Sequence, residues 1–173
     1  MHVLRTAAGA AALAMVAAGC GGGSGDEPLE GRVAAMTSTV AAAPSKPMAT
    51  VAGSVEGTSL ELLAVRRSGR VLTAQLVLRT GSGSFDPELL SEDGERADLS
   101  GARLVDDVNV KEYAPLRGEQ GGCVCTSPVG DGSRIGWDQE VALSAKFPAP
   151  PDGVREVSLT VPTFASFEGI VLG

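Results

Sequence analysis

Val71-Leu72-Thr73-Ala74-Gln75-Leu76-Val77-Leu78 alternates with a period of two: Leu72, Ala74, Leu76 and Leu78 fall on one face, Thr73 and Gln75 on the other. Successive side chains of an extended chain point to opposite sides, so this is the pattern of a strand half buried in a sheet. The same alternation recurs downstream. Val141, Leu143, Ala145 and Phe147 interleave with Glu140, Ala142, Ser144 and Lys146, and Val157, Leu159 and Val161 interleave with Glu156, Ser158 and Thr160 until Pro162 stops the run. Less regular runs at 48–52, 59–65, 102–105, 108–113 and 167–172 bring the expected count to about eight strands.

Between these runs stand Gly53, Ser68-Gly69, Gly118, Gly130 to Gly132 and Pro150 to Gly153, residues that supply a positive φ or preset a negative one in turns. No long amphipathic helix intervenes, which argues against a parallel sheet with helical crossovers. The pattern predicts an all-β, immunoglobulin-like antiparallel sandwich of about 7–8 strands over residues 47–173. Its longest break, 80–101, contains Asp86-Pro87-Glu88, a cap, a proline and a first-turn acid that predict one short helical turn through Leu90. With so few aromatic residues, Tyr113 and Trp137 are expected in the core or on a sheet face.

Upstream of the domain the character changes. Arg5 precedes an apolar run from Ala7 to Ala18 that ends in Ala17-Ala18-Gly19-Cys20, followed by three glycines. A charged start, an apolar centre too short to span a bilayer and small residues before a cysteine make an export signal over residues 1–19. The end of it resembles a lipobox, with Ala17 where leucine is usual. That resemblance implies a diacylglyceryl group on Cys20 and a chain held at the extracytoplasmic face of the cell membrane. The plainer alternative is an ordinary secretory signal. Residues 20–46 are rich in Gly, Ala, Ser and Thr, carry Pro28 and Pro44 and have no sustained period, as expected of a flexible tether. Such a segment of about 26 residues reaches roughly 25–30 Å. An Ala-rich helix over 32–43 competes with that reading, weakened by Thr37, Thr39 and Val40.

Composition removes whole classes of function. The formal charge of −7 becomes −8 once Arg5 leaves with the signal, and the remaining cations are scattered, so nucleic acid is not an expected partner. Arg66, Arg67 and Arg70 read as a solvated strand end and turn. The single histidine, His2, lies in the signal, which excludes Ser-His-Asp and Cys-His sites from the mature chain. Imidazole-ligated zinc goes with it, and two thiols are too few for a four-cysteine site. No calcium-loop spacing occurs. The pairs Asp106-Asp107 and Glu92-Asp93 sit beside turn signals and read as solvated charges. No catalytic residue, resident metal or cofactor is expected.

Several short stretches, taken in order, resemble a family of actinobacterial envelope lipoproteins. They are Ala102-Arg103-Leu104-Val105-Asp106, Tyr113-Ala114-Pro115-Leu116-Arg117, Cys123-Val124-Cys125, Phe147-Pro148-Ala149-Pro150-Pro151 and Val161-Pro162-Thr163-Phe164. In that family an immunoglobulin-like segment stands before an OmpA-like, peptidoglycan-binding domain, and related segments occur in telokin-like lipoproteins. The resemblance covers about 55–172 and implies the fold and the envelope address. With the chain ending at Gly173, the wall-binding domain and its role are not expected here.

With Cys20 lipidated, Cys123 and Cys125 are the remaining thiols, and an oxidising compartment favours a disulfide between them. In an extended strand residues i and i+2 lie roughly 6.6 Å apart, too far for a bridge without a kink, which Gly121-Gly122 can provide. Three roles fit the pair: a loop-shaping disulfide, thiol redox exchange assisted by Arg117 or Arg134, and soft-metal binding such as Cu(I) with help from Met36 or Met48. The leading expectation is a surface-tethered, non-enzymatic envelope lipoprotein that binds another envelope protein or a wall polymer. The alternative is a redox or copper-binding protein acting through Cys123 and Cys125.

Overall fold

The computed structural model describes residues 46–129 and 133–173. Among them are eight strands: β1 (Ala49–Ala52), β2 (Thr58–Ser68), β3 (Val71–Thr80), β4 (Arg103–Asp106), β5 (Lys111–Tyr113), β6 (Gln139–Pro148), β7 (Glu156–Thr160) and β8 (Phe167–Val171). They form two antiparallel four-stranded sheets, ordered β1-β2-β3-β6 and β5-β4-β7-β8. This is the all-β sandwich that the alternating runs predict. The expected signal over 1–19, Cys20, the expected tether up to residue 45 and the stretch 130–132, where a turn is expected, lie outside the described residues.

β3 is one of the two inner strands of the first sheet, and its two faces differ sharply. Leu72, Ala74, Leu76 and Leu78 are buried, while Gln75 is exposed. Leu76 stands opposite Leu62 of β2 on one side and Leu143 of β6 on the other, so three leucines cross the inner face in one row. Phe85, Phe147 and Phe167 fill the space between the sheets with Leu104, Leu159 and Val161. The outer face is polar: Arg79 donates through Nε to Glu61 at 2.8 Å and pairs with Glu140 on the other side. The β2–β3 connection is the two residues Gly69-Arg70, with Gly69 at φ +58°, as a tight hairpin with glycine first demands.

The chain crosses between the sheets three times, through 81–102, 114–138 and 149–155. The first crossing contains the predicted turn as a single 3₁₀ turn over Pro87–Leu90. Asp86 caps it by accepting the Glu88 N–H at 3.2 Å.

Four expectations fail. The run 108–113 yields a strand only from Lys111; Val108 and Val110 project into solvent at 86% and 90% exposure, in a turn that puts Val110 at φ +50°. Alternation of apolar residues there comes from a turn, not a pleat. Trp137 is neither core nor sheet face but 72% exposed, beside Asp138 at φ +53°. Asp106 is not a solvated charge: it is 0% exposed and makes the turn, accepting the Asn109 N–H at 3.1 Å and the Asn109 Nδ2 at 2.6 Å. Its neighbour Asp107 is exposed, as expected, and accepts a hydrogen bond from the Ser158 hydroxyl at 2.8 Å. Arg66 and Arg70 are solvated, whereas Arg67 pairs with Asp152 and donates to the Pro150 carbonyl.

The Asn109 side chain, then the Asn109 and Val108 N–H groups, hold the Asp106 carboxyl below the usual carboxylate range. A depressed native pKa stabilises the fold above the unfolded-state pKa, and that stabilisation is lost as pH falls through the native one. The thermal midpoint of the wild type should therefore exceed that of Asp106→Asn near neutral pH, and the gap should close as the solution is acidified. A gap independent of pH would show that the charge is not what holds the turn.

Candidate functional site

The two domain cysteines lie on a hairpin laid along the outer edge of β6. Its tip is Gly118-Glu119-Gln120-Gly121, closed by the Gly121 N–H donating to the Gly118 carbonyl at 2.9 Å. Gly121 takes φ +81° and throws the returning arm back beside the outgoing one. The arms are tied where the Gly118 N–H donates to Gly122 at 2.8 Å and the Val124 N–H to Leu116 at 2.7 Å. The kink expected from the glycines is thus a bulged hairpin turn.

β6 accepts this hairpin through its own free backbone groups. The Leu116 N–H donates to the Lys146 carbonyl at 2.7 Å, the Lys146 N–H to Val124 at 3.1 Å, and the Thr126 N–H to Ser144 at 2.8 Å. The Thr126 hydroxyl accepts the Ser144 N–H at 2.9 Å. Cys123 bridges to Arg117 across the hairpin while Cys125 bridges to Ala145 of β6, so consecutive alternate residues answer to different neighbours. Their Cα atoms are 5.2 Å apart, closer than an extended pair, and the sulfurs are within disulfide-bonding distance. Both residues are half-buried.

A third group meets the sulfurs that sequence spacing did not indicate. Asp98, half-buried, places a carboxylate oxygen so that it and the two sulfurs all lie within 4.8 Å of one another. It is carried by the 91–101 loop, whose base is closed by the Gly101 N–H donating to Leu90 at 3.1 Å and the Glu92 N–H donating to the Ser100 hydroxyl at 3.1 Å. Ala97 and Leu99, on either side of Asp98, are buried and act as plugs. The Ser127 hydroxyl donates to the Ala97 carbonyl at 2.8 Å and pins the loop to the segment that follows Cys125. Asp98 Oδ1 accepts the Ser100 N–H at 2.9 Å. At the loop tip, the Glu95 N–H holds the Asp93 carboxyl below its usual range.

Of the cations expected to assist the cysteines, Arg117 stands opposite Cys123 across the hairpin but has its guanidinium engaged by other groups. Arg117 donates to Glu92 at 2.9 Å and to the Gly121 carbonyl at 3.1 Å, and Glu92 also takes Arg103 at 2.8 Å. Arg134 pairs with Asp86 at 3.3 Å. Glu92 is exposed, as expected, yet serves as the junction of this small ion-pair network. Met48 precedes β1, at the opposite edge of the first sheet from the hairpin, a separation of four strand spacings or about 19 Å. Met36 lies outside the described residues.

No family model, curated protein or solved structure matches this chain.

Proposed function

We propose that this chain is a lipid-anchored module of the bacterial cell envelope, held at the extracytoplasmic face through Cys20 and acting by binding rather than by catalysis. The observation that carries the reading is the junction Ala17-Ala18-Gly19-Cys20-Gly21, a lipobox-like end to an export signal. A polar tether of suitable reach follows it, and then a sandwich with its own core. Cys123 and Cys125 fit that setting as a local disulfide: an oxidising compartment favours the bond, and so small a ring constrains the unfolded chain little. The partner class that suits a tethered sandwich of this charge is another envelope protein or a wall polymer.

Intact mass of the membrane fraction is the deciding measurement. It should show a diacylglyceryl adduct on a chain beginning at Cys20, and Cys20→Ala should move the folded domain out of that fraction. A soluble, unmodified product cut elsewhere overturns the anchor. Alkylation of protein taken from the envelope under non-reducing conditions should leave Cys123 and Cys125 unlabelled until a dithiol is added. Two labelled thiols at the outset would remove the disulfide. Crosslinking on intact cells should retrieve a partner from wild type, and still do so from the double Cys123→Ser, Cys125→Ser variant; loss from that variant would move the contact to the hairpin.

A further inference from the structure

The convergence of two thiols and a carboxylate from separate loops is not used by the envelope reading and does not depend on it. We infer that, when the cysteines are reduced, Asp98, Cys123 and Cys125 form a three-ligand site for a single borderline divalent cation of the zinc class. The ligand atoms already lie within 4.8 Å of one another, and each residue is half-buried, so the site is shielded on one side and reachable from the other. Two thiolates bound to one tetrahedral zinc at roughly 2.3 Å each stand roughly 3.8 Å apart, a separation that side-chain rotation supplies once the bond is open.

The surroundings select the ion. Two thiolates and a carboxylate together carry three negative charges, and the neighbouring Arg117 is engaged by Glu92, so a divalent cation is the natural counter-charge. Cu(I) satisfies itself with soft sulfur donors and gains little from a carboxylate, and Met48 is on the far sheet edge. Zinc accepts sulfur and oxygen together and leaves a fourth position to water. Asp98 is oriented as metal-ligating carboxylates are, one oxygen fixed by the Ser100 N–H.

The balance of the reaction is simple. A dithiol gives two electrons and two protons to the Cys123–Cys125 bond and is left as its own cyclic disulfide. The divalent ion then displaces the two thiol protons as both sulfurs bind, so uptake is tighter at higher pH.

The test uses the full mature protein, reduced with dithiothreitol, desalted under nitrogen and titrated with Co²⁺ as a chromophoric probe and then with Zn²⁺. A thiolate-to-cobalt charge-transfer band should saturate at one ion per chain and be bleached by Zn²⁺, and the oxidised protein should show none. Cys123→Ser should abolish the band. Asp98→Asn keeps an oxygen for the Ser100 N–H and should weaken Zn²⁺ binding about tenfold or more. Absence of binding by the reduced protein, or Zn²⁺ affinity unchanged in Asp98→Asn, overturns the site. Tight Cu(I) uptake indifferent to Asp98, with no Zn²⁺ uptake, overturns it as well and leaves a two-sulfur copper site. Circular dichroism of each variant separates loss of ligand from loss of fold.

Discussion

Leu76→Ala is expected to lower the unfolding free energy by about 2–5 kcal/mol, the cost of the lost transfer energy together with the cavity left behind. The upper part of that range suits this site. Leu76 is 2% exposed and sits between Leu62 and Leu143 on two hydrogen-bonded neighbours, whose backbones cannot close in to fill the gap. Thr73, on the outer face of the same strand, should lose under about 1 kcal/mol on replacement by alanine, from strand propensity and partial burial. Urea unfolding should show the midpoint falling strongly for the first variant with an unchanged slope. Equal losses at the two positions would contradict the sidedness of β3.

Gly101→Ala should be the second severe change, for a reason that core volume does not capture. A Cβ there would meet Pro162 Cγ at 2.6 Å and the carbonyl oxygens of Leu90 and Ser91 at 2.7 and 2.8 Å. Two of those neighbours are backbone and cannot rotate away. The cost should reach at least the overpacking range of about 1–3 kcal/mol. Because Gly101 also donates to Leu90 and closes the base of the 91–101 loop, the substitution should displace Asp98. The variant should therefore lose Co²⁺ binding out of proportion to its loss of stability, whereas Leu76→Ala should keep it at temperatures where the domain stays folded. If Gly101→Ala matches wild type in both respects, the loop is not clamped as described.

The regular strands were legible because one face of each is buried, and burial writes a period of two into the sequence. Val108 and Val110 show where the signal misleads: a turn built around the buried Asp106 carboxylate throws two valines outward with the same spacing a pleat would give. Nothing local distinguishes the cases, since Asp106 becomes a turn-former by what it accepts from Asn109. Scarcity of aromatic residues points Trp137 to the core or a sheet face, yet the leucines and phenylalanines suffice to fill the core. The cysteine pair was visible from composition, and its kink from Gly121-Gly122. Asp98 was not, because it lies twenty-five residues from Cys123 and reaches it through the packing of Ala97 and Leu99. The apolar Ala97 and Leu99 on either side of Asp98 in an otherwise polar loop are the signal that could have pointed there, and it becomes informative only once the fold is known.

The hairpin over β6 also bears on how the sheet meets other chains. An open strand edge offers unpaired N–H and C=O groups as a template on which another chain can add a strand, the first step toward aggregation. On β6 the groups at Ser144 and Lys146 are already taken by Leu116, Val124 and Thr126. The cysteine hairpin thus covers the edge of β6 at these residues, and anything that loosens it would open their N–H and C=O groups to pairing with another chain.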